Sequence, residues 1–286
     1  LTIPDSQRPK RVALVVHPHR DKAGELAHIV ERWWSERGVE VLLDFNDPGP
    51  ESALFQRDID VVISFGGDGT MLRTVALAAP AEIPVLGVNL GNLGYLTTVE
   101  PEDITRACEL LMGGDYGIEE RMMIDVTVTS STHPSDAFTT VAMNEVVVEK
   151  TADGHTIHLG VKIGDDQFLT YVADGMMVAT PTGSTAYNLS LRGPIVSPRL
   201  RALVMTPIAP HMLFDRTLVI EPELAVCFTL LGDRDGVAVI DGERVAQLIP
   251  GDQIDVCESK NSARIVKFGE RDFYRILHSK FGLLDR

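Results

Sequence analysis

Val61-Val62-Ile63-Ser64-Phe65-Gly66-Gly67-Asp68-Gly69-Thr70 decides the fold. An apolar run of strand length enters a glycine turn, and a helical pattern begins near Met71, so a strand end and a helix start meet around one carboxylate. Glycines let backbone N–H groups approach a phosphate closely, and a helix N-terminus offers it unpaired donors and partial positive charge. The turn therefore predicts an anion site, with Gly66, Gly67 and Thr70 as its phosphate-binding residues. Asp68 would repel phosphate unless it takes the proton of a substrate hydroxyl or works through a metal. The simpler alternative is a turn whose Asp caps the helix.

On the N-terminal side, Val12 to His17 reads as a buried strand, and Leu26, Ile29, Val30, Trp33 and Trp34 recur at helical spacing until Gly38. Val39 to Leu43 and Val85 to Val88 add short apolar strands, with helical stretches at Met71 to Ala79 and around Ile104 to Met112. Strands alternating with helices predict a parallel sheet covered on both faces, with ligands bound beyond the carboxyl ends of its strands. From about Arg121 the pattern changes to short strands: Ile124 to Val128, Val146 to Val148, His158 to Ile163, Phe168 to Val172, Leu203 to Met205, Leu218 to Ile220, Val226 to Leu231, Val237 to Ile240 and Ile254 to Cys257. Turn signals at Asp153-Gly154 and Gly164-Asp165 punctuate them. The prediction is an α/β protein: an N-terminal parallel-sheet α/β domain over 1–120, a C-terminal β-rich, sandwich-like domain over 121–268, and a segment over 269–286, helical from Asp272 to Phe281, that returns to the first domain.

The 286 residues carry a net charge of -15, which argues against a nucleic-acid or anionic membrane partner. A phosphate-rich ligand would then rely on local basic residues, backbone amides and a divalent cation. Cys108, Cys227 and Cys257 are widely spaced and form no CxxC pair, so neither a disulfide framework nor a zinc site is encoded, and a reducing cytoplasm is expected. No apolar run reaches the length of a membrane span. The G-x-x-x-x-G-K-[ST] loop is missing, and Gly87, Gly91 and Gly94 do not form G-x-G-x-x-G, so a nucleotide site here is of another kind.

Two further constellations stand out. Asn144-Glu145 lies between apolar Val141-Ala142-Met143 and Val146-Val147-Val148; an amide beside a carboxylate can read ribose hydroxyls and an adenine edge together, while the plain alternative is a solvated strand end. Asp174-Gly175 leads into Thr180-Pro181-Thr182-Gly183-Ser184-Thr185-Ala186-Tyr187, where Gly183 permits close approach of a planar ligand and Tyr187 offers a stacking face. A Ser/Thr turn and helix cap would explain the hydroxyls but not the length of the pattern.

In this order the motifs closely resemble the NAD kinase family. The matching pieces include Gly66 to Thr70, Leu86 to Asn89 with Gly91 to Leu96, Asn144-Glu145, Asp174 to Tyr187, Arg192 to Val196 and Thr206 to His211, and the likeness runs from about Val12 to Phe281. The Gly-Gly-Asp-Gly turn is shared with lipid kinases and phosphofructokinases; the Thr-Pro-Thr-Gly-Ser-Thr-Ala-Tyr run is much more specific. The resemblance implies transfer of the ATP γ-phosphoryl, or that of inorganic polyphosphate, to the adenosine-ribose 2′-hydroxyl of NAD. It implies Asp68 as the catalytic carboxylate with Gly69 and Arg73 beside it, Asn144 and Glu145 on the ribose and adenine, and Asp174 on a polar edge of the ligand. It further implies Thr185, Ala186, Tyr187 and Ser190 along the dinucleotide, with Ala209 nearby, Mg²⁺ bound with ATP, and a homodimer or homotetramer. His211 is read as a structural hydrogen-bonding residue outside the catalytic set.

The sequence departs from the family pattern at single positions. Val172 stands where a basic residue is common, His155 occupies a position that often carries a basic ligand-binding residue, and Glu243 replaces a frequent Gln. Both His155 and Glu243 are retained as binding residues. Two other readings compete: a lipid or polyol kinase sharing the turn, which would want an apolar acceptor pocket, and a non-catalytic NADP(H) sensor, which would be expected to lack Asp68.

Overall fold

The computed structural model describes residues 8–44, 58–91, 94–151, 155–269 and 273–282. The Asp153-Gly154 turn, Asn92, Leu93 and Asp272 lie outside them. The chain forms two compact units, Leu1–Arg121 with Asn261–Arg286, and Met122–Lys260. Among the described residues no helix is long and apolar enough to cross a membrane.

The first unit runs β1 (Arg11–Val16), α1 (Asp21–Ser35), β2 (Glu40–Asp44), β3 (Val61–Gly66), α2 (Asp68–Ala78), β4 (Val85–Asn89) and α3 (Ile104–Gly113). Its sheet has the order β2-β1-β3-β4, every pair parallel. All residues of β3 and β4 are buried, as expected where helices cover both faces. Ala23, Ala27, Val30 and Trp34 form the buried stripe of α1 and join Ala107, Cys108 and Leu111 of α3 over Leu14, Ile63 and Leu86. Ile29, which the periodicity places on that stripe, is 57% exposed instead, because it lies about 100° around the helix from Val30 and off the buried face. The strand order reverses direction about β1, so the neighbouring carboxyl ends of β1 and β3 mark a switch point, where open α/β sheets place their ligands.

The second unit contains most of the long strand β5 (Gly117–Thr129), then β6 (Phe138–Ala142), β7 (Glu145–Lys150), β8 (Ile157–Ile163), β9 (Asp166–Ala173), β10 (Gly175–Ala179), α4 (Tyr187–Ser190), β11 (Leu203–Ile208), β12 (Leu218–Ile220), β13 (Val226–Leu231), β14 (Gly236–Ile240) and β15 (Glu243–Leu248). A six-stranded antiparallel sheet has the order β12-β11-β10-β7-β14-β15. Val146 and Val148 of β7 point into the core with Leu159, Val161, Met176 and Phe228. Val147, one residue out of phase, packs on the other face with Met177, Val196 and Val204. The strand β16 (Gln253–Lys267) pairs antiparallel with β13 through its first residues, and in the first unit its Ile265 pairs parallel with Val85 of β4. Helix α5 (Phe273–Phe281) belongs to the first unit.

The sequence reading captured the alternation of elements and the change of pattern near Arg121, but five elements differ. Helix α2 begins at Asp68 rather than near Met71; β5 and β16 extend well beyond the apolar cores that announced them; and β6 and β15, rich in exposed polar residues, carry no apolar run to reveal them.

Candidate active site

Asp68 is the first residue of α2, and Gly67, with extended backbone, precedes it as the cap position. The Asp68 side chain does not cap the helix. Its Oδ2 accepts the backbone N–H of Tyr95 at 2.9 Å and its Oδ1 that of Leu96 at 3.1 Å, so both oxygens are fixed by the loop after β4. Two amide donors on one carboxylate hold its orientation. Gly94 makes the approach possible: a Cβ there would stand 2.2 Å from Asp68 Oδ1. Gly66 has the same kind of duty, because a Cβ would lie 2.2 Å from Thr70 Oγ1. Gly67 and Gly69 have open space around them, which leaves the backbone of the turn accessible. Arg73, on the second turn of α2, is half-buried.

Lys280 of α5 places its Nζ 3.8 Å from the centroid of the Tyr95 ring. Partial burial lowers the Lys280 pKa while the negative charge of Asp68 raises it, and burial followed by that same charge raises the Tyr95 hydroxyl. A cation thus sits beside the residue whose amide holds Asp68, and sequence reading missed it. Nothing in the helical pattern of α5 tells which sequence-distant ring the lysine reaches.

In the second unit the structure brings Asn144, Glu145 and the Thr180–Tyr187 run together. Thr180 N–H donates to the Asn144 carbonyl at 2.8 Å, and Thr180 Oγ1 to that of Met143 at 2.6 Å. Gly183 is pressed against the same backbone, where a Cβ would lie 2.1 Å from the Asn144 oxygen. Ser184 Oγ donates to the Pro181 carbonyl at 2.6 Å and is buried, so that hydroxyl serves the turn itself. Thr185 and Ala186 follow half-buried, Tyr187 is 38% exposed, and Ser190 ends α4 exposed.

Glu145 opens β7 and is only 7% exposed. Burial first, then the charge of Asp241, pushes its carboxyl up to about 8, against the pull of a hydrogen bond from the Tyr187 backbone. Its Oε2 is buried and has no hydrogen-bond partner among the described residues. Tyr187 itself is raised by burial and by Glu149, Asp174 and Glu145. Asp174, between β9 and β10, is paired with Lys150 at 2.8 Å.

The remaining expected residues lie further along the same unit. Ala209, just after β11, has φ 44°, and the exposed His211 donates its backbone N–H to Val172 at 2.8 Å. His155 lines a separate cavity with Lys150, Asp233 and Arg234 that none of Asn144, Glu145 and Tyr187 enters. Glu243 is exposed at the start of β15. Two residues before it, Asp241 contacts the Asn144-Glu145 backbone directly, a role that only its place in an Asp-Gly turn hinted at.

Comparison with known proteins places the whole chain in a family. Residues 51–116 match the ATP-NAD kinase N-terminal domain, and residues 143–268 match the ATP-NAD kinase C-terminal domain. The NAD kinase of Heliobacterium modesticaldum is 40% identical over 277 residues, covering 94% of this chain and 97% of that protein. That of Moorella thermoacetica is 37% identical over 280 residues, covering 95% and 89%. A crystal structure of yeast NADH kinase complexed with NADH shares the fold with a TM-score of 0.88 at 23% identity, covering 98% of this chain and 89% of that one. An NAD kinase from Archaeoglobus fulgidus in complex with ATP gives a TM-score of 0.74 at 26% identity, covering 96% and 100%. The chain belongs to the NAD kinase family, a family of phosphotransferases.

Proposed function

We propose that this protein is an NAD kinase that transfers the terminal phosphoryl group of ATP, or of inorganic polyphosphate, to the 2′-hydroxyl of the adenosine ribose of NAD, forming NADP. The observation that carries this reading is Asp68 at the carboxyl end of β3, both oxygens fixed by the amides of Tyr95 and Leu96 at the start of a helix. The relatives named NAD kinase, and the Archaeoglobus protein crystallised with ATP, support it.

In this mechanism the 2′-oxygen attacks the terminal phosphorus in line. The new O–P bond forms as the bond to the bridging oxygen breaks, ADP or a polyphosphate one unit shorter leaves, and the hydroxyl proton passes to Asp68 and then to water. Because proton loss comes late in a loose transition state, the fixed orientation of Asp68 matters more than its basicity. Gly66, Gly67, Gly69 and Thr70 would offer the turn to phosphate oxygens, with Arg73 as a cation. Asn144 and Glu145 would hold the ribose and adenine, Thr185, Ala186, Tyr187 and Ser190 would line the dinucleotide, and Asp174, His155, Ala209 and Glu243 would meet its polar edges.

A single carboxylate at the turn fits Mg²⁺, which takes one or two protein carboxylates and fills its remaining positions with phosphate oxygens and water. The family resemblance implies that the ion would be bound with the phosphoryl donor. When bound it would neutralise phosphate charge. The three free cysteines support a cytoplasmic location, and the family resemblance supports a homodimer or homotetramer.

The test is direct: purified protein with NAD, Mg²⁺ and either ATP or polyphosphate should yield 2′-phosphorylated product. NAD should also raise its melting temperature. Phosphorylation of diacylglycerol, sphingosine or a polyol without NADP formation would overturn the reading, and NADP(H) binding without turnover would make the protein a sensor.

A further inference from the structure

Asp241 occupies the tip of the β14–β15 hairpin with left-handed backbone, φ 47°, followed by Gly242 at φ 86°. Positive φ at both positions is what a two-residue Asp-Gly hairpin turn requires. The Asp241 side chain does more than close the turn, because it gathers three consecutive backbone amides. Asp241 Oδ2 accepts the N–H of Met143 at 2.8 Å, and Oδ1 accepts those of Asn144 at 2.8 Å and Glu145 at 3.0 Å. In return the Asp241 N–H donates to the Glu145 carbonyl at 3.0 Å. Closing a hairpin needs no such convergence. One carboxylate fixes the backbone at both residues whose side chains are proposed to grip the nucleoside, while Thr180 and Gly183 press on the same segment from another side.

We propose that Asp241 is a positioning residue for NAD binding, acting through the backbone of Met143, Asn144 and Glu145 to set the direction of the Asn144 and Glu145 side chains. This rests on the reading that NAD is the ligand. Burial raises the Asp241 carboxyl while its three amide donors lower it. Glu145 has an oxygen without a donor and stands beside the Asp241 charge, so of the two carboxyls Glu145 carries the proton at rest. The other titratable groups around the pair are Glu243 in the same turn, Tyr187 at the start of α4, Glu149 on β7, and Asp174 near Tyr187 with its charge matched by Lys150. The flanking strands β10 and β14 contribute none. A ribose diol donating to Glu145 favours its ionised form, so NAD should bind more tightly as pH rises towards about 8 and level off above it.

The test is NAD titration calorimetry across pH on the parent and on Asp241→Asn, which keeps the size but replaces one acceptor oxygen with a donor facing an amide. Expected is a loss of NAD affinity of about 10- to 100-fold at the plateau, near-parental KM for the phosphoryl donor, and a levelling point moved to lower pH because the charge next to Glu145 is gone. Parental NAD affinity in the variant overturns the proposal, and so does lost affinity with an unmoved levelling point, which marks a role in folding only. Should the variant fail to fold, carboxyl and amide NMR on the parent decides. The amide protons of Met143, Asn144 and Glu145 should shift together with the acid titration of Asp241, and shifts that follow any other group refute the assignment. A parent protein that binds no NAD at any pH refutes the proposed function instead, and the amide titration still judges Asp241.

Discussion

Gly94→Ala tests the proposed role of the Asp68 turn without replacing a charged residue. The added Cβ would stand 2.2 Å from Asp68 Oδ1 and 2.6 Å from Thr97 Oγ1, so a normal contact requires the carboxylate to retreat by about 1 Å. That retreat breaks the hydrogen bonds from the Tyr95 and Leu96 amides, which are 2.9 and 3.1 Å long and have no slack. A misplacement of ~1 Å at a reacting group costs on the order of 100-fold in rate, or about 2.7 kcal/mol of barrier. NAD affinity should be unchanged, since the residues proposed to hold it belong to the second unit. Single-turnover NADP formation measures the rate, and calorimetry on the same preparation measures NAD binding. The decisive comparison is the double variant with Asp68→Asn. If Gly94 acts through Asp68, the pair should be no slower than Asp68→Asn alone, because two changes to one device are not additive. A Gly94→Ala rate within about threefold of the parent, or a double variant ~100-fold slower than Asp68→Asn, would refute the reasoning.

Asp68→Asn itself should lower kcat by ~100- to ~10,000-fold with NAD affinity altered only a few-fold; collapse of affinity with kcat retained would make Asp68 a binding residue. Glu145→Ala should weaken NAD binding by about 1.5–3 kcal/mol, the range for a hydrogen bond to a charged group, as read by titration calorimetry. Gly183→Ala drives a methyl into backbone atoms of Asn144, with the nearest at 2.1 Å, and should lower stability by at least ~2 kcal/mol in chemical denaturation. Glu145 holds its proton up to about 8 in the folded protein, far above the ordinary carboxyl range of the unfolded chain. The native state therefore binds more protons between about pH 5 and 8, and stability should fall as pH rises through that window. Glu145→Gln should flatten this slope in denaturation curves, and an unchanged slope would place the titration elsewhere.

What the sequence disclosed follows the range over which its signals act. The β3–α2 turn was legible because strand, glycines and helix start are contiguous, so one short stretch holds the device. Asn144-Glu145 and the Thr180–Tyr187 run were legible as patterns, but their meeting was not, since it depends on Gly183 fitting against the Asn144 oxygen. Gly94 belongs to the Gly91–Leu96 stretch that resembles the family, yet the residues give it no role of its own; its nearness to the Asp68 carboxylate does. In the Asp241-Gly242-Glu243 turn the resemblance points to Glu243, whose side chain is exposed, whereas Asp241 is the residue bonded to the Met143, Asn144 and Glu145 amides. An acid ahead of a glycine reads as turn chemistry, and which amides it collects is decided by tertiary packing.

The insertion of the second unit between Arg121 and Asn261 sets an order of events during synthesis. Ile265, which pairs with Val85 of β4, emerges from the ribosome only after all of residues 122–260. The second unit is contiguous in sequence and can condense as soon as its last strand appears, whereas the first must wait for the partner of Val85, since on that side of β4 the early neighbour, Val99, reaches only Val88. An unpaired apolar edge is a template for wrong partners, and long-range parallel pairings form slowly. The nascent chain is therefore most exposed to misassembly in the unit that carries Asp68, over the interval needed to make 139 residues of the other unit, counted from Met122 to Lys260. Truncations that end before Asn261 should leave a competent second unit attached to an aggregation-prone first one.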